Sequence, residues 1–337
     1  MNYFRYEHPF ELEGGEILPG ITIAYHVYGH LNEDRSNVVW VCHALTANSE
    51  VAHWWPGVIG EKGAIHPDQY FIVCANILGS CYGTTGPLSN DPRTGSPWYH
   101  RFPAVTIRDM VKAHILLRRH LGIDRIHLLM GGSMGGYQAL EWCVLEKEVI
   151  ERLFLIATSP AESAWGIAVH TAQRLAIEAD PSWLSTVPEA GRNGLKAARA
   201  IGILTYRNYG IIVQQQTDPD KEKLDGFKAS SYILYQGEKL VSRFNAYCYW
   251  LLTKAMDSHQ LGRGRGGNLE AVLRGIAQKT LVVGITSDIL CPVEEQRHMA
   301  GYLPDAELVE IDSAYGHDGF MVEGQKIATL LGEWLGG

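Results

Sequence analysis

Six short runs of almost unbroken apolar residues set the architecture of this chain: 38–42 (VVWVC), 70–75 (YFIVCA), 126–130 (IHLLM), 153–157 (LFLIA), 281–285 (LVVGI) and 308–311 (LVEI). A strand with one face in water alternates apolar and polar residues, whereas a strand covered on both faces does not. The runs therefore predict an α/β fold, a mostly parallel sheet flanked by helices. The segment 21–27 (ITIAYHV) alternates more and predicts an antiparallel edge hairpin ahead of the parallel strands. Between the second and third runs, Thr106-Ile107-Arg108-Asp109 reads as a capping box. Met110, His114, Leu117 and Leu121 then form one apolar stripe before Gly122 stops the helix.

From 161 to 278 no run of this kind occurs, and helical segments at 168–179 and 195–204 stand in its place. The sheet pattern resumes at Thr280. A helical block interrupting a sheet pattern reads as an insertion, so the expectation is a core of 1–160 and 279–337 with 161–278 as an inserted helical lid. The glycine-rich GRGRGG at 262–267 follows no strand and reads as a flexible surface turn rather than a dinucleotide-binding loop.

Charge and cysteine content narrow the function classes. Against 29 basic residues stand 37 acidic ones, a net charge of −8, which argues against a surface for nucleic acid. The opening MNYFRYEHPF lacks the basic start and apolar run of a secretory signal, and no stretch is apolar enough to span a membrane. Six cysteines in 337 residues are too few for a disulfide scaffold, and none has zinc-ligand spacing, so no metal is expected. The setting that fits is the reducing cytoplasm.

The chemistry centres on Gly131-Gly132-Ser133-Met134-Gly135-Gly136, a G-x-S-x-G sequence placed between a strand run and a helix-compatible run. In that context the serine sits on a tight strand-to-helix turn with its hydroxyl exposed, a nucleophile elbow. The Met134 amide, at the helix start, is positioned to donate to an oxyanion, and the loop after the first run, at Leu45, is expected to supply the second amide. A serine nucleophile needs a base and an orienting carboxylate, in the order serine, acid, histidine. Of the four downstream histidines, His170, His259, His298 and His317, only His317 follows the last strand run in a loop. Asp288, after the run at 281–285, is the expected acid, with Asp312 as its rival five residues before the base. His43, at the end of the first run, reads as a structural hydrogen-bonding residue.

Seven segments, CHALT (42–46), NILGSCYGTTGP (76–87), FPAVTIRDMV (102–111), GGSMGGYQALEW (131–142), LTYRN (204–208), ITSDILCPVEEQ (285–296) and YGHDGF (315–320), together resemble the homoserine O-acetyltransferases of methionine biosynthesis. The resemblance runs over almost the whole chain and implies the α/β-hydrolase fold. It implies acetyl transfer from acetyl-CoA, used as a co-substrate with no bound cofactor, to the hydroxyl of homoserine through an acetyl-serine at Ser133, with His317 as base and Asp288 holding the imidazole. Carried over by the same resemblance, Arg207 would hold the acceptor's carboxylate and Asp318 its ammonium group, and the assembly would be a homodimer built through the lid. Ser80, Leu234 and Asn245 depart from the family's usual glycine, arginine and aspartate. The competing reading is a serine esterase or thioesterase of the same fold, or transfer of a succinyl group or to serine. The pocket segments 42–50, 80–87 and 133–138 contain no lysine or arginine to hold a succinyl carboxylate, which favours acetyl.

Overall fold

The computed structural model describes residues 1–336. Ten strands form in chain order: β1 (Asn2–Tyr6), β2 (Phe10–Glu11), β3 (Ile17–Leu18), β4 (Ile21–Tyr28), β5 (Val38–Cys42), β6 (Phe71–Ala75), β7 (Leu128–Gly132), β8 (Arg152–Ile156), β9 (Lys279–Ile285) and β10 (Ala306–Ile311). Eight of them make one sheet in the order β1-β4-β6-β5-β7-β8-β9-β10, while β2 and β3 pair separately as a small hairpin. The pairs β1–β4 and β4–β6 are antiparallel, and every pair from β6 through β10 is parallel. The antiparallel hairpin expected around 21–27 forms with β1 as the edge strand, and β4 lies one strand inside it, antiparallel to both β1 and β6.

Unbroken hydrophobicity has the anticipated cause in the central strands. Within β5, Trp40 packs into the cluster that holds Met110 and Trp142, whereas Val39 and Val41 pack on the opposite face with Trp55 and Ile327. Two expectations shift. The run at 126–130 enters the sheet only from Leu128 and continues through Gly131 and Gly132, leaving Ile126 in an isolated bridge to Ile150. The run at 308–311 lies in the edge strand β10, where Glu307 and Glu310 are exposed, so that strand is covered less completely than its sequence suggests.

Among the described residues twelve α-helices form: α1 (Val51–Trp54), α2 (Ile107–His120), α3 (Met134–Leu145), α4 (Ala164–Glu178), α5 (Arg192–Tyr206), α6 (Tyr209–Gln216), α7 (Lys228–Val241), α8 (Ala246–Asp257), α9 (Leu269–Arg274), α10 (Val293–Tyr302), α11 (Gly319–Val322) and α12 (Gly324–Gly336). The capping box of α2 forms as read: the Asp109 amide donates to Thr106 Oγ1 at 3.2 Å, and Asp109 Oδ2 accepts from the Thr106 amide at 3.0 Å. Helices α4 to α9 lie between β8 and β9, with α4, α5, α7 and α8 packed on one another. None of the described helices is long and apolar enough to cross a membrane.

The GRGRGG segment is a turn with most of its glycines exposed, as expected, but its two arginines are paired rather than free. Arg263 pairs with Glu13 at 2.8 Å, and Arg265 pairs with the buried Glu141 of α3. Arg108 of α2 bridges Glu13 and Glu141, at 2.6 Å each, and also donates to the Arg263 carbonyl at 2.9 Å. Three arginines and two glutamates thus clamp the far end of the helical block to the amino-terminal hairpin and α3, because each charge removed from water has an opposite charge beside it.

Candidate active site

Strand β7 ends where α3 begins, and Ser133 occupies the junction with φ +53° and ψ −129°, a left-handed conformation costly for a residue with a Cβ. The glycines make that turn possible by close approach. A Cβ on Gly135 would sit 2.1 Å from the Cys42 carbonyl oxygen, and one on Gly131 would sit 2.2 Å from the Gly135 carbonyl oxygen. The turn is held by the Ser133 amide donating to the Ile156 carbonyl at 3.1 Å, and by Thr158 Oγ1 donating to the Ser133 carbonyl at 2.8 Å. The serine side chain makes no capping bond to its own helix, which leaves its oxygen to other partners.

One such partner is His317. Its Nε2 lies 2.9 Å from Ser133 Oγ, and its Nδ1 lies 2.7 Å from Asp288 Oδ2. The other Asp288 oxygen accepts from the Leu290 and Cys291 amides at 2.8 and 3.0 Å. Asp288 follows β9 and His317 follows β10, so the three groups converge from the carboxyl ends of parallel strands. All three are buried. Burial alone would depress the His317 pKa, but the Asp288 carboxylate and its hydrogen bond outweigh it and hold the imidazole above its ordinary value. The bond between Asp288 and Nδ1 puts the proton there and leaves Nε2 to accept from the serine hydroxyl.

The alternatives weighed from sequence lie elsewhere. Asp312 is exposed and accepts from Thr286 Oγ1 at 3.4 Å. His170 pairs with Asp257 at 2.9 Å, His259 stacks on Tyr137 at 4.2 Å between ring centroids, and His298 lies against Tyr302. His43 is structural, as expected: its Nδ1 meets the Ala44 carbonyl at 2.9 Å, and its Nε2 accepts from the Ile77 amide at 3.2 Å. Burial lowers its pKa to about 4, so it stays neutral.

Leu45 lies in the turn after β5, and Met134 opens α3. Among the described residues, neither backbone amide has an acceptor in the protein. Gln138 Nε2 donates to the His43 carbonyl at 3.1 Å and to the Met134 carbonyl at 3.2 Å, tying the Leu45 turn to α3. Sequence reasoning missed Gln138 and Thr158. Gln138 falls one turn after the serine in a run that otherwise reads as helix core, and Thr158 gives no local signal at all.

Arg207, at the carboxyl end of α5, and Asp318, beside the base, come together as an ion pair with Nε to Oδ2 at 2.7 Å. The carboxylate sits off the line of the Nε–H, so the contact is electrostatic rather than a directed hydrogen bond. The guanidinium also lies over the Tyr315 ring, 5.5 Å from its centroid. Tyr206, the residue before Arg207, brings its ring within 5.9 Å of the His317 ring centroid. One donor atom each of Asp288, Cys291 and His317 lie within 4.8 Å of one another. Both Asp288 oxygens and both His317 nitrogens are already engaged, and burial pushes the Cys291 thiol up, so this group is a hydrogen-bonded relay rather than a metal cradle.

Of the three departures from the family pattern, Asn245 caps α8 by accepting from the Tyr247 amide at 3.0 Å, a role an aspartate fills equally well. Leu234 is exposed on α7, and Ser80 is buried in the loop after β6.

Residues 37–324 match the family described as the alpha/beta hydrolase fold. A homoserine O-acetyltransferase of Cyclobacterium marinum is 46% identical, over 97% of this chain and 93% of its own length. The crystal structure of a homoserine O-acetyltransferase from Bacillus anthracis, 26% identical, superposes with a TM-score of 0.90 and covers 99% of this chain and 96% of that one. An acetylester hydrolase from Corynebacterium glutamicum, 24% identical, shares the fold, with a TM-score of 0.88 over 100% of this chain and 96% of that one. The buried serine–histidine–aspartate relay on β7, β9 and β10 and the full-length sequence likeness meet in one conclusion: the chain belongs to the homoserine O-acetyltransferase family of α/β-hydrolase-fold proteins.

Proposed function

We propose that this protein transfers the acetyl group of acetyl-CoA to the hydroxyl of homoserine, a step of methionine biosynthesis, through an acetyl-enzyme at Ser133. His317 Nε2 takes the serine proton as Oγ attacks the thioester carbonyl, and it returns that proton to the departing CoA sulfur. The homoserine hydroxyl then loses its proton to Nε2 and attacks the acetyl-serine. Ser133 leaves with the proton, and O-acetylhomoserine departs. Asp288 holds the imidazole in the tautomer that leaves Nε2 free, and the Leu45 and Met134 amides receive the negative oxygen of each tetrahedral intermediate.

The observation that carries transfer to an amino acid, rather than hydrolysis, is the Arg207–Asp318 pair beside the base. A zwitterion with one carboxylate and one ammonium group can replace such a pair, each end taking the opposite partner. The helical block 161–278 acts as the lid that carries Arg207 and keeps water from the acetyl-enzyme. Two lid arginines are already paired, Arg174 with Asp257 at 2.5 Å and Arg207 with Asp318, which argues against their holding a succinyl carboxylate. An exposed apolar surface on the same block, including Leu204, Tyr209, Leu224 and Leu234, supports assembly as a homodimer through the lid. Six free cysteines and an acetyl-CoA substrate fit the cytoplasm.

The test is a matrix of acetyl-CoA and succinyl-CoA against homoserine, serine and water. Rapid CoA release that requires homoserine and acetyl-CoA supports the reading. Equal release without any amino acid would make the protein a thioesterase, and faster turnover with succinyl-CoA would mean that a cation reaches the acyl pocket.

A further inference from the structure

The connection between α7 and α8 brings Arg243 of the helical block onto the turn that carries Leu45. Arg243 is exposed, and its guanidinium is directed at two core residues. Nη1 donates to the Thr46 carbonyl and, at 2.7 Å, to the Tyr82 hydroxyl, and Nη2 lies 3.4 Å from Thr46 Oγ1. The Tyr82 hydroxyl donates in turn to the same Thr46 carbonyl at 3.5 Å. Tyr82 is held by its ring, which packs edge-on to Phe244 with 5.6 Å between centroids, and by its carbonyl, which accepts from Asn76 Nδ2 at 2.8 Å. Unlike Arg174, Arg207 and Arg263, Arg243 has no carboxylate partner among the described residues. Its guanidinium is spent on the turn and on the tyrosine beside it.

Thr46 is an inner residue of that turn, which spans 44–47 and closes with the Ala47 amide donating to the Ala44 carbonyl at 3.1 Å. A trans peptide directs its N–H opposite to its carbonyl. The peptide joining Thr46 to Ala47 therefore takes the Arg243 bond at its oxygen and gives its own N–H to the Ala44 oxygen. The peptide joining Ala44 to Leu45 takes that bond at its oxygen and turns the Leu45 N–H the other way, where it has no acceptor among the described residues. Two peptides thus run in series from the guanidinium to the Leu45 amide. Hydrogen bonds in such a chain polarise one another, so a cation at the first oxygen strengthens the donor at the far end. His43 Nδ1 adds a second bond to the Ala44 oxygen at 2.9 Å, from the core side.

We propose that Arg243 is a positioning residue for the oxyanion hole: it holds the Thr46 carbonyl from the helical block and, through the two peptides, aims and strengthens the Leu45 amide. This role rests on the proposed reading of Ser133 as the nucleophile and of the Leu45 amide as a receiver of the negative oxygen. The hole is then complete only while the α7–α8 connection is seated on Thr46, and the guanidinium acts on the reacting atoms through the turn rather than by touching them.

The test is the rate at which a fluorophosphonate labels Ser133 in the intact protein. That reaction builds negative charge on the phosphonyl oxygen and needs neither acetyl-CoA nor homoserine. Removing an oxyanion donor outright costs about a hundred- to a thousandfold, so Arg243→Ala, which leaves the Leu45 amide in place, is expected to slow labelling at saturating probe by about ten- to a hundredfold. The urea unfolding midpoint is expected to stay that of the wild type, because the side chain is exposed, and millimolar guanidinium ion should restore part of the rate. Arg243→Lys, which keeps the charge but not the planar fork, should fall between the two. A wild-type protein that takes no label at Ser133 would overturn the nucleophile reading and this role with it. A labelled wild type with an undiminished rate in Arg243→Ala would overturn this role alone, as would a slowing that tracks a lowered unfolding midpoint and ignores guanidinium.

Discussion

The catalytic triad of the α/β core and the helical block between β8 and β9 differ in how fully their side chains are engaged within the protein. In the core, Ser133, Asp288 and His317 stand on turns fixed by parallel strands, and both oxygens of Asp288 and both nitrogens of His317 are engaged within the protein. In the helical block, the buried Gln173 amide, Arg174 Nη1, Arg199 Nε and Tyr249 hydroxyl have no partner among the described residues. That block also exposes Leu184, Leu204, Tyr209, Leu224 and Leu234. The catalytic triad presents a finished hydrogen-bonded geometry, although buried groups elsewhere in the core, both His114 ring nitrogens and Trp40 Nε1 among them, also lack partners among the described residues. The block's distinguishing feature is its exposed apolar side chains, which suits a part that meets a second subunit. If this contrast is right, substitutions in the core should stop the chemistry, and substitutions in the block, Arg243 aside, should weaken only what it binds.

The largest effect should come from the core. Ser133→Ala is expected to abolish enzyme acetylation, with His317→Ala close behind, at losses on the order of a million-fold. Asp288→Asn should cost less, on the order of ten-thousand-fold, because it disturbs the tautomer and not the nucleophile. Rapid-quench measurement of acetyl-enzyme checks all three. A neutral Asp288→Asn together with a severe Asp312→Asn would reassign the acid.

The same contrast explains how much was legible in the sequence. Ser133, Asp288 and His317 could be read because each ends or follows an apolar run, and strand order dictates which carboxyl ends meet. The charge clamp could not. Arg263 and Glu13 are 250 residues apart, and nothing local in GRGRGG says that its side chains are paired rather than free. Strand β10 misled for a related reason: residues 308–311 read as doubly covered, but an edge position leaves Glu307 and Glu310 in water. Local pattern reports burial on the two faces of a strand, not whether a neighbour lies on both edges.

Breaking the clamp tests whether the block depends on the core for its stability. Glu141 is buried between Arg108 and Arg265, so Glu141→Ala leaves two guanidinium groups without their buried partner. A loss of about 3–5 kcal/mol is expected, read by denaturant unfolding. By contrast Arg297→Ala, which removes a pair with Glu310 on the open surface and screened by solvent, should cost far less. Equal costs would mean that the clamp adds nothing beyond an ordinary surface contact.

On the proposed reading the guanidinium serves only the acceptor, so Arg207→Ala should raise the Michaelis constant for homoserine and spare acetylation by acetyl-CoA. Loss of a charged hydrogen bond of about 1.5–3 kcal/mol corresponds to roughly ten- to a hundred-fold. An equal loss in both half-reactions would move Arg207 out of the acceptor site and make it part of the catalytic frame.

The smallest effect is graded with pH, and its two consequences have opposite signs. With His317 as the proposed base, catalysis needs it neutral, and its pKa in the folded protein lies above the ordinary imidazole value because the Asp288 charge outweighs burial. kcat/KM for acetyl-CoA should therefore be full at alkaline pH and fall through a midpoint above 6.5, by about tenfold for each pH unit below it. Stability runs the other way. A group bound to its proton more tightly when folded adds stability that is fully present below the unfolded pKa and is lost as pH rises through the folded one. The wild-type protein should thus gain stability over the window in which it loses activity. Asp288→Asn removes the charge that raises the pKa, so both the activity midpoint and the stability window should move to lower pH. Urea unfolding of both proteins across that window, beside residual acetylation rates, measures the shift. A midpoint that stays put in Asp288→Asn would mean that another of the negative groups around the imidazole, Asp318 or Glu162, sets it instead.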